Sequence, residues 1–244
     1  MSTAPERAAR EETAASAQAS PIVRFDQASL RREGEVGALR SASFALAPGS
    51  FHMLLGPRGS GKTSLLRLIC LAETPSQGLV QVFGRDVSTL SRREAALARR
   101  RIGAVLQPLV FLDHLTVWDN AALPARAIAR PLADYAPQVD QVLGWLGLTR
   151  QAEERPPALD PSARWRLALA RAVVNRPDIV LLDAPGESLD TSQQERLVRL
   201  AGELNAAGAT VLVATRDEAL AAASGRPLLK LQDGRVILAD GGLA

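Results

Sequence analysis

Eight consecutive residues, Gly56-Pro57-Arg58-Gly59-Ser60-Gly61-Lys62-Thr63, carry the spacing G-x-x-x-x-G-K-[ST], a pattern suited to holding phosphate. Glycines let the backbone curl until successive N–H groups point inward at phosphate oxygens, and the following helix adds its positive N-terminal end. On such a loop Lys62 would set a point charge on the β- and γ-phosphates of a nucleotide, and the Thr63 hydroxyl would ligate Mg2+. Ser64, next in the chain, joins the candidate contacts. A shuffled chain with 18 Gly and lysines only at Lys62 and Lys230 would show the pattern about once in a thousand tries. A Gly-rich turn is the plain alternative, but the apolar run Phe51–Leu55 before the octet and the helical pattern Ser64–Leu71 after it supply the motif's required context. A second run, Ile179-Val180-Leu181-Leu182-Asp183, is apolar without alternation and ends in a carboxylate. That is a strand buried on both faces, delivering Asp183 to the sheet edge where a metal held by Thr63 would take a further ligand. Alone it is a weak signal; beside the loop it is a persuasive one.

The elements that must position these groups follow from patterning. Ile22–Phe25 and Ser43–Leu46 read as strands joined by the polar turn Arg31–Gly37, and Leu79–Phe83 as another strand, followed by a turn at Gly84-Arg85-Asp86. An arginine-rich helix, Ser91–Arg101, leads to the strand Ile102–Leu106. Helical patterns then run near Val117–Arg130, Asp134–Leu146 and Ser162–Val174, with Pro156-Pro157 breaking the middle. Alternation resumes with Ile179–Asp183, Thr191–Asn205, Thr210–Thr215 and Asp217–Ala223, and a last hairpin turns at Asp233-Gly234. Strand–helix alternation on both sides of a helical insert means a parallel α/β core carrying an α-helical subdomain. There is no internal repeat.

Composition narrows the functions. The 244 residues, 47% hydrophobic, hold ample material for a core. The formal charge is only +3, and 3 Trp, 1 Tyr and 5 Phe offer few bases a stacking surface, so nucleic acid is not an expected partner. One cysteine, Cys70, excludes an internal disulfide framework and a multi-Cys metal site, in keeping with a reducing compartment. No apolar stretch approaches the ~20 residues of a membrane-spanning helix. Residues 1–20 lack an apolar core and read as a solvated, disordered tail rather than a secretory signal.

Further segments stand in the order of an ABC-transporter ATP-binding subunit, and the chain resembles that family from about Ile22 to Ile237. Gln107 ends its strand where the family has a lid glutamine that senses Mg2+ and the membrane partner. Leu159-Asp160-Pro161-Ser162-Ala163 holds the place of the signature loop, Asp183–Asp190 that of the Walker B and D-loop segment, and Thr210–Asp217 that of the strand ending in the switch histidine. Leu115–Asn120 and Ala170–Pro177 look most like the cell-division ATP-binding protein FtsE, with the lipoprotein-release and macrolide-export ATPases as close relatives. The resemblance implies a P-loop NTPase core of the ABC ATPase kind, α/β in class, with an N-terminal antiparallel β subdomain. It implies that residues 21–244 form one ATP-binding domain, with its helical subdomain at about 117–172. It implies ATP and Mg2+ as cofactors, with Gly56–Ser64, Gln107 and Arg32 at the nucleotide and Thr63, Gln107 and Asp183 at the metal. It also implies a homodimer, an FtsX-like integral membrane subunit, and a place on the inner face of the plasma membrane, in the cytoplasm, reached only through that subunit.

Departures from the family gather where hydrolysis happens. The general-base glutamate is Ala184, whose methyl group cannot polarise water. The switch histidine is Arg216, which cannot accept a hydrogen bond from that water. The signature serine and first glycine are Asp160 and Pro161, a sound N-cap and first helical residue. A carboxylate aimed at a triphosphate is nonetheless repelled by roughly 1–4 kcal/mol at ~4 Å. The aromatic that stacks on adenine is Arg32, whose guanidinium plane can also stack on a base. Together these substitutions imply ATP binding with weak or absent turnover. Glu187 reads as a loop or first-turn acid rather than a replacement base. His52 and His114 lack a third ligand nearby, and Trp118, Trp145 and Trp165 read as packing residues. The run Arg92, Arg93, Arg99, Arg100, Arg101 reads as a solvated helix face rather than a lipid-binding patch, its position just ahead of Gln107 leaving a membrane-proximal role open.

Overall fold

The computed structural model describes residues 20–31, 39–183 and 191–238. Arg32, the segment from Ala184 to Asp190 with Glu187, and nearly all of the expected tail lie outside them.

Two sheets and seven helices carry the described chain. Strands β1 (Val23–Leu30), β2 (Leu39–Leu46), β4 (Gln77–Val82) and the two-residue β5 (Arg85–Asp86) form an antiparallel sheet in the order β2-β1-β4-β5. Strands β3 (Phe51–Leu55), β6 (Ile102–Val105), β7 (Ile179–Asp183), β8 (Thr210–Thr215), β9 (Leu228–Gln232) and β10 (Arg235–Leu238) form the second, ordered β10-β9-β3-β8-β7-β6. All its neighbours run parallel except the β9–β10 hairpin. That hairpin turns on Asp233 and Gly234, both at positive φ (48° and 78°), as a two-residue turn matched to strand twist requires. Gly234 also accepts a 2.7 Å bond from Arg40 N–H, tying β2 to the hairpin. The Gly84–Asp86 segment, expected as a turn only, adds the short rung β5: Val82 faces Arg85 and Gln81 faces Asp86.

Between the strands lie α1 (Lys62–Ile69), α2 (Arg92–Arg99), α3 (Val117–Ala127), α4 (Leu132–Trp145), α5 (Pro161–Val173), α6 (Thr191–Ala206) and α7 (Glu218–Ala223). Their starts are written in side chains. Ser91, Thr116, Asp160 and Asp217 each accept a backbone N–H three residues on, satisfying donors that a helix start leaves orphaned. Helices α3, α4 and α5 all fall between β6 and β7, two adjacent parallel strands, so the crossover itself is the helical insert.

The core divides along the faces of the parallel sheet. Phe51, Met53 and Leu55 of β3, Val180 and Leu182 of β7, and Val211 and Val213 of β8 pack with the helical insert and α6. Leu54, Ile179, Leu181, Leu212 and Ala214, the alternate residues, pack with the antiparallel sheet and α1. Period-2 alternation buried on both faces is what an uninterrupted apolar strand encodes. Helix α1 buries Leu65, Leu66, Leu68 and Ile69 between the two sheets, so the helix after the candidate loop is anchored in the core.

Candidate functional site

The loop leaves β3 at the C-terminal edge of the parallel sheet, where Gly56 N–H donates to Thr215 O at 3.2 Å. Its glycines serve two different needs. Gly59 and Gly61 stand at φ 78° and 104°, a region that costs other residues roughly 1–2 kcal/mol. Gly56 is held by space: a Cβ there would lie 2.2 Å from Leu231 O of β9 and 2.6 Å from Ser60 Oγ. Gly61 is the N-cap of α1 and supplies no side-chain cap, so the N–H groups of the first turn face the loop's hollow rather than a capping oxygen. The helix begins at Lys62, two residues before the sequence pattern placed it, because the αL glycine starts the turn.

Lys62 reaches back over the loop. Its buried Nζ donates to Gly56 O at 2.6 Å and Pro57 O at 2.8 Å, which places an ammonium charge at the loop's rim. The Ser60 hydroxyl is buried with no hydrogen-bond partner among the described residues, a polar atom whose desolvation a bound oxyanion would offset. Thr63 Oγ1 donates to Asp183 Oδ2 at 2.7 Å. The loop's metal-type hydroxyl and the only acid of β7 therefore stand in direct contact, and Asp183 is 3% exposed. Inward N–H groups, an ammonium, a hydroxyl and one buried carboxylate form a donor set that fits a polyphosphate with a hard divalent cation. When bound, such a nucleotide supplies a phosphoanhydride and negative charge; the chain supplies the cradle, the Lys62 cation and the Thr63–Asp183 oxygens.

Sheet register sets two more candidates at the same edge. Thr215 pairs with Leu55, so exposed Arg216 follows beside Gly56. Val105 pairs with Leu182, so exposed Gln107 lies two residues beyond, on the other flank of Asp183. Arg58 is exposed at the loop's crest. Asp160 is the N-cap of α5, accepting Ala163 N–H at 2.7 Å, with Pro161 in the first helical position. Phe111, just past Gln107, packs under Arg164 and Arg171 of α5, whose guanidiniums lie 5.7 and 5.2 Å from its ring centroid. Burial pushes the Arg171 pKa below its ordinary value.

One residue has a role that the sequence did not disclose. Asn120 of α3 is fully buried; its side chain accepts from Leu112 N and donates to Leu112 O, Leu115 O and Thr116 O at 2.9–3.3 Å. It fastens the loop that carries Phe111. Its sequence signals were its place at the end of the FtsE-like segment Leu115–Asn120 and a polar residue on the apolar stripe of a Thr-capped helix.

The model of the family described as ABC transporter matches residues 39–187. The chain belongs to the ABC transporter family. This ATP-binding domain is 36% identical over 215 residues to the cell division ATP-binding protein FtsE of Escherichia coli strain K12, covering 88% of this chain and 97% of that protein. It is 34% identical to the macrolide export ATP-binding/permease protein MacB of Chromobacterium violaceum over 86% of this chain and 32% of that protein. A solved ATP-binding cassette, MJ0796, described as a dimer in a post-hydrolysis state bound to ADP and Pi, superposes with a TM-score of 0.80. The pair are 29% identical, over 88% of this domain and 96% of the cassette. No helix of the described ABC domain is long and apolar enough to cross a membrane.

Proposed function

We propose that the chain is the ATP-binding subunit of an FtsE/FtsX-like complex acting in cell division, and that it binds ATP with Mg2+ while hydrolysing it weakly or not at all. The observation that carries the binding reading is the intact cradle: Lys62 at the rim, an unpartnered buried Ser60 hydroxyl, and Thr63 bonded to Asp183 at 2.7 Å. The division role is supported by likeness to FtsE along nearly that protein's whole length. Weak turnover is supported by three residue identities. Ala184 offers no base, Arg216 offers a cation where a water would need an acceptor, and Asp160 spends its carboxylate capping α5. Gly56–Ser64, Gln107 and Arg32 would hold the nucleotide, and Thr63, Asp183 and Gln107 the metal. A homodimer on an FtsX-like membrane subunit would convert ATP occupancy into closure, limited to the differential affinity of ATP for the two states. Likeness to MacB supports a second reading, the ATPase subunit of a lipoprotein-release or macrolide-export type transporter.

Fluorescent-nucleotide titration and ATPase assay of the purified complex, each beside Lys62→Ala, test this. The expected result is Mg2+-dependent ATP uptake lost in the variant, with turnover close to the variant's. No uptake would overturn nucleotide binding, and turnover far above the variant would overturn the weak-hydrolysis reading.

A further inference from the structure

The arginine run of α2 has an unexpected arrangement. Ser91 and Glu94 form a reciprocal capping box at its start, and Arg85 holds the same Glu94 carboxylate at 2.7 Å. Arg99 turns inward and donates twice to Leu71 O. Arg101 lies over the Phe83 ring at 4.0 Å and donates to Asp178 at 2.8 Å. The Arg85–Glu94 pair, Arg99 and Arg101 bind the helix to the body of the protein. Arg92, Arg93 and Arg100 are exposed, and their side chains make no ion pair or hydrogen bond among the described residues. At 3.6 residues per turn they fall with Leu97 inside one arc of roughly 140°. No acid shares that arc, since Glu94 is held on the opposite side, and Leu97 stands 49% exposed among the guanidiniums. Beyond the end of α2, Arg100 lines a cleft of about 450 Å³ with Ala127 and Ile128 at the end of α3.

We infer that this face of α2 lies against an anionic lipid surface. Cations around an exposed leucine match a bilayer interface, where headgroup phosphates meet guanidiniums and the apolar tip enters the acyl boundary. The leucine gives nothing to a phosphodiester backbone, and the chain's small net charge and few aromatics do not fit nucleic acid. Three arginines raise partitioning by about fivefold each, a reversible contact too weak to anchor the chain alone. It rests on the membrane-complex reading for its setting, where it would orient a subunit already held by a membrane partner. It departs from the expectation that the membrane is met only through that partner.

The test is cosedimentation of the full chain with phosphatidylglycerol-containing vesicles and with pure phosphatidylcholine vesicles, beside nucleotide titration of the same samples. Expected are binding to the anionic vesicles alone, loss of it at about 1 M salt where the screening length is ~3 Å, and a fall of about a hundredfold for R92Q/R93Q/R100Q. The lysine triple R92K/R93K/R100K should retain most binding, and L97Q should lose several-fold. Equal binding by the glutamine triple, equal binding to both vesicle types, or capture of duplex DNA in place of vesicles would overturn the inference. Nucleotide affinity is expected to be unchanged in every variant; its absence throughout would refute the nucleotide reading and leave the vesicle result standing.

Discussion

Replacing Gly56 by alanine isolates what the phosphate loop demands of its first residue. The new Cβ would lie 2.2 Å from Leu231 O, more than 1 Å inside ordinary contact. That oxygen is main chain in β9, a strand paired to both β3 and β10, so it cannot swing aside as a side chain would. The loop must lift instead, carrying the Gly56 carbonyl away from Lys62 and the Gly56 N–H away from Thr215. Overpacking of this kind costs about 1–3 kcal/mol, and an affinity set by converging main-chain donors should weaken at least about tenfold with the displacement. Gly59→Ala is the matched control. Nothing lies within 4 Å of its Cβ position, so only the φ of 78° opposes it, at roughly 1–2 kcal/mol. Urea unfolding and titration with a fluorescent adenine nucleotide, run on both variants, read the two effects. If Gly56→Ala kept the parent's midpoint and affinity, the claim that β9 sets the loop's height would be wrong.

Asn120→Ala removes the side chain that closes four hydrogen bonds in a fully buried setting; one or two stranded polar groups should cost about 2–4 kcal/mol in urea unfolding, and a loss under 0.5 kcal/mol would refute that accounting. Glu94 is held at a pKa of about 2, first by the Ser91 hydroxyl. Its folded value lies below its ordinary 4.5, so the cap stabilises α2 fully above that pH and is lost as pH falls towards 2. Carboxyl NMR titration of Ser91→Ala should show Glu94 moving back up, and an unmoved midpoint would refute the assignment. Ala184→Glu with Arg216→His should raise ATP turnover by at least about a hundredfold, the lower range for a positioned base, in a steady-state phosphate-release assay; an unchanged rate would show that hydrolysis is limited elsewhere.

Local chemistry was legible wherever one residue type decides a conformation. The loop octet, the cap Asp160 with Pro161 behind it, and the Asp233-Gly234 turn all stand as the residues imply. Strands β7 and β8 were legible because each lies between two packed layers and needs no polar face. Other features depend on distant partners. β1 runs on to Leu30 through register shifts between Phe25, Ala28 and Leu30, which interrupt the alternation that marks a strand. β5 exists because β4 offers it a ladder. Sheet order was hidden for the same reason: β3 lies between β8 and β9, more than 150 residues further along, and no local preference states that pairing. In the site, the Thr63–Asp183 contact was legible as two motifs expected to converge. The Leu231 oxygen above Gly56 was not, because nothing near residue 231 refers to the loop.

The division of the core along one sheet bears on how the molecule melts. Met53 and Leu54, Leu181 and Leu182, and Leu212 and Val213 are chain neighbours whose side chains belong to opposite apolar layers. Loosening either layer bares one side of the same three strands, so neither half can be thermally dismantled while the other persists. A single calorimetric transition spanning both halves follows, and with it a nucleotide cradle that stays intact until the entire fold gives way.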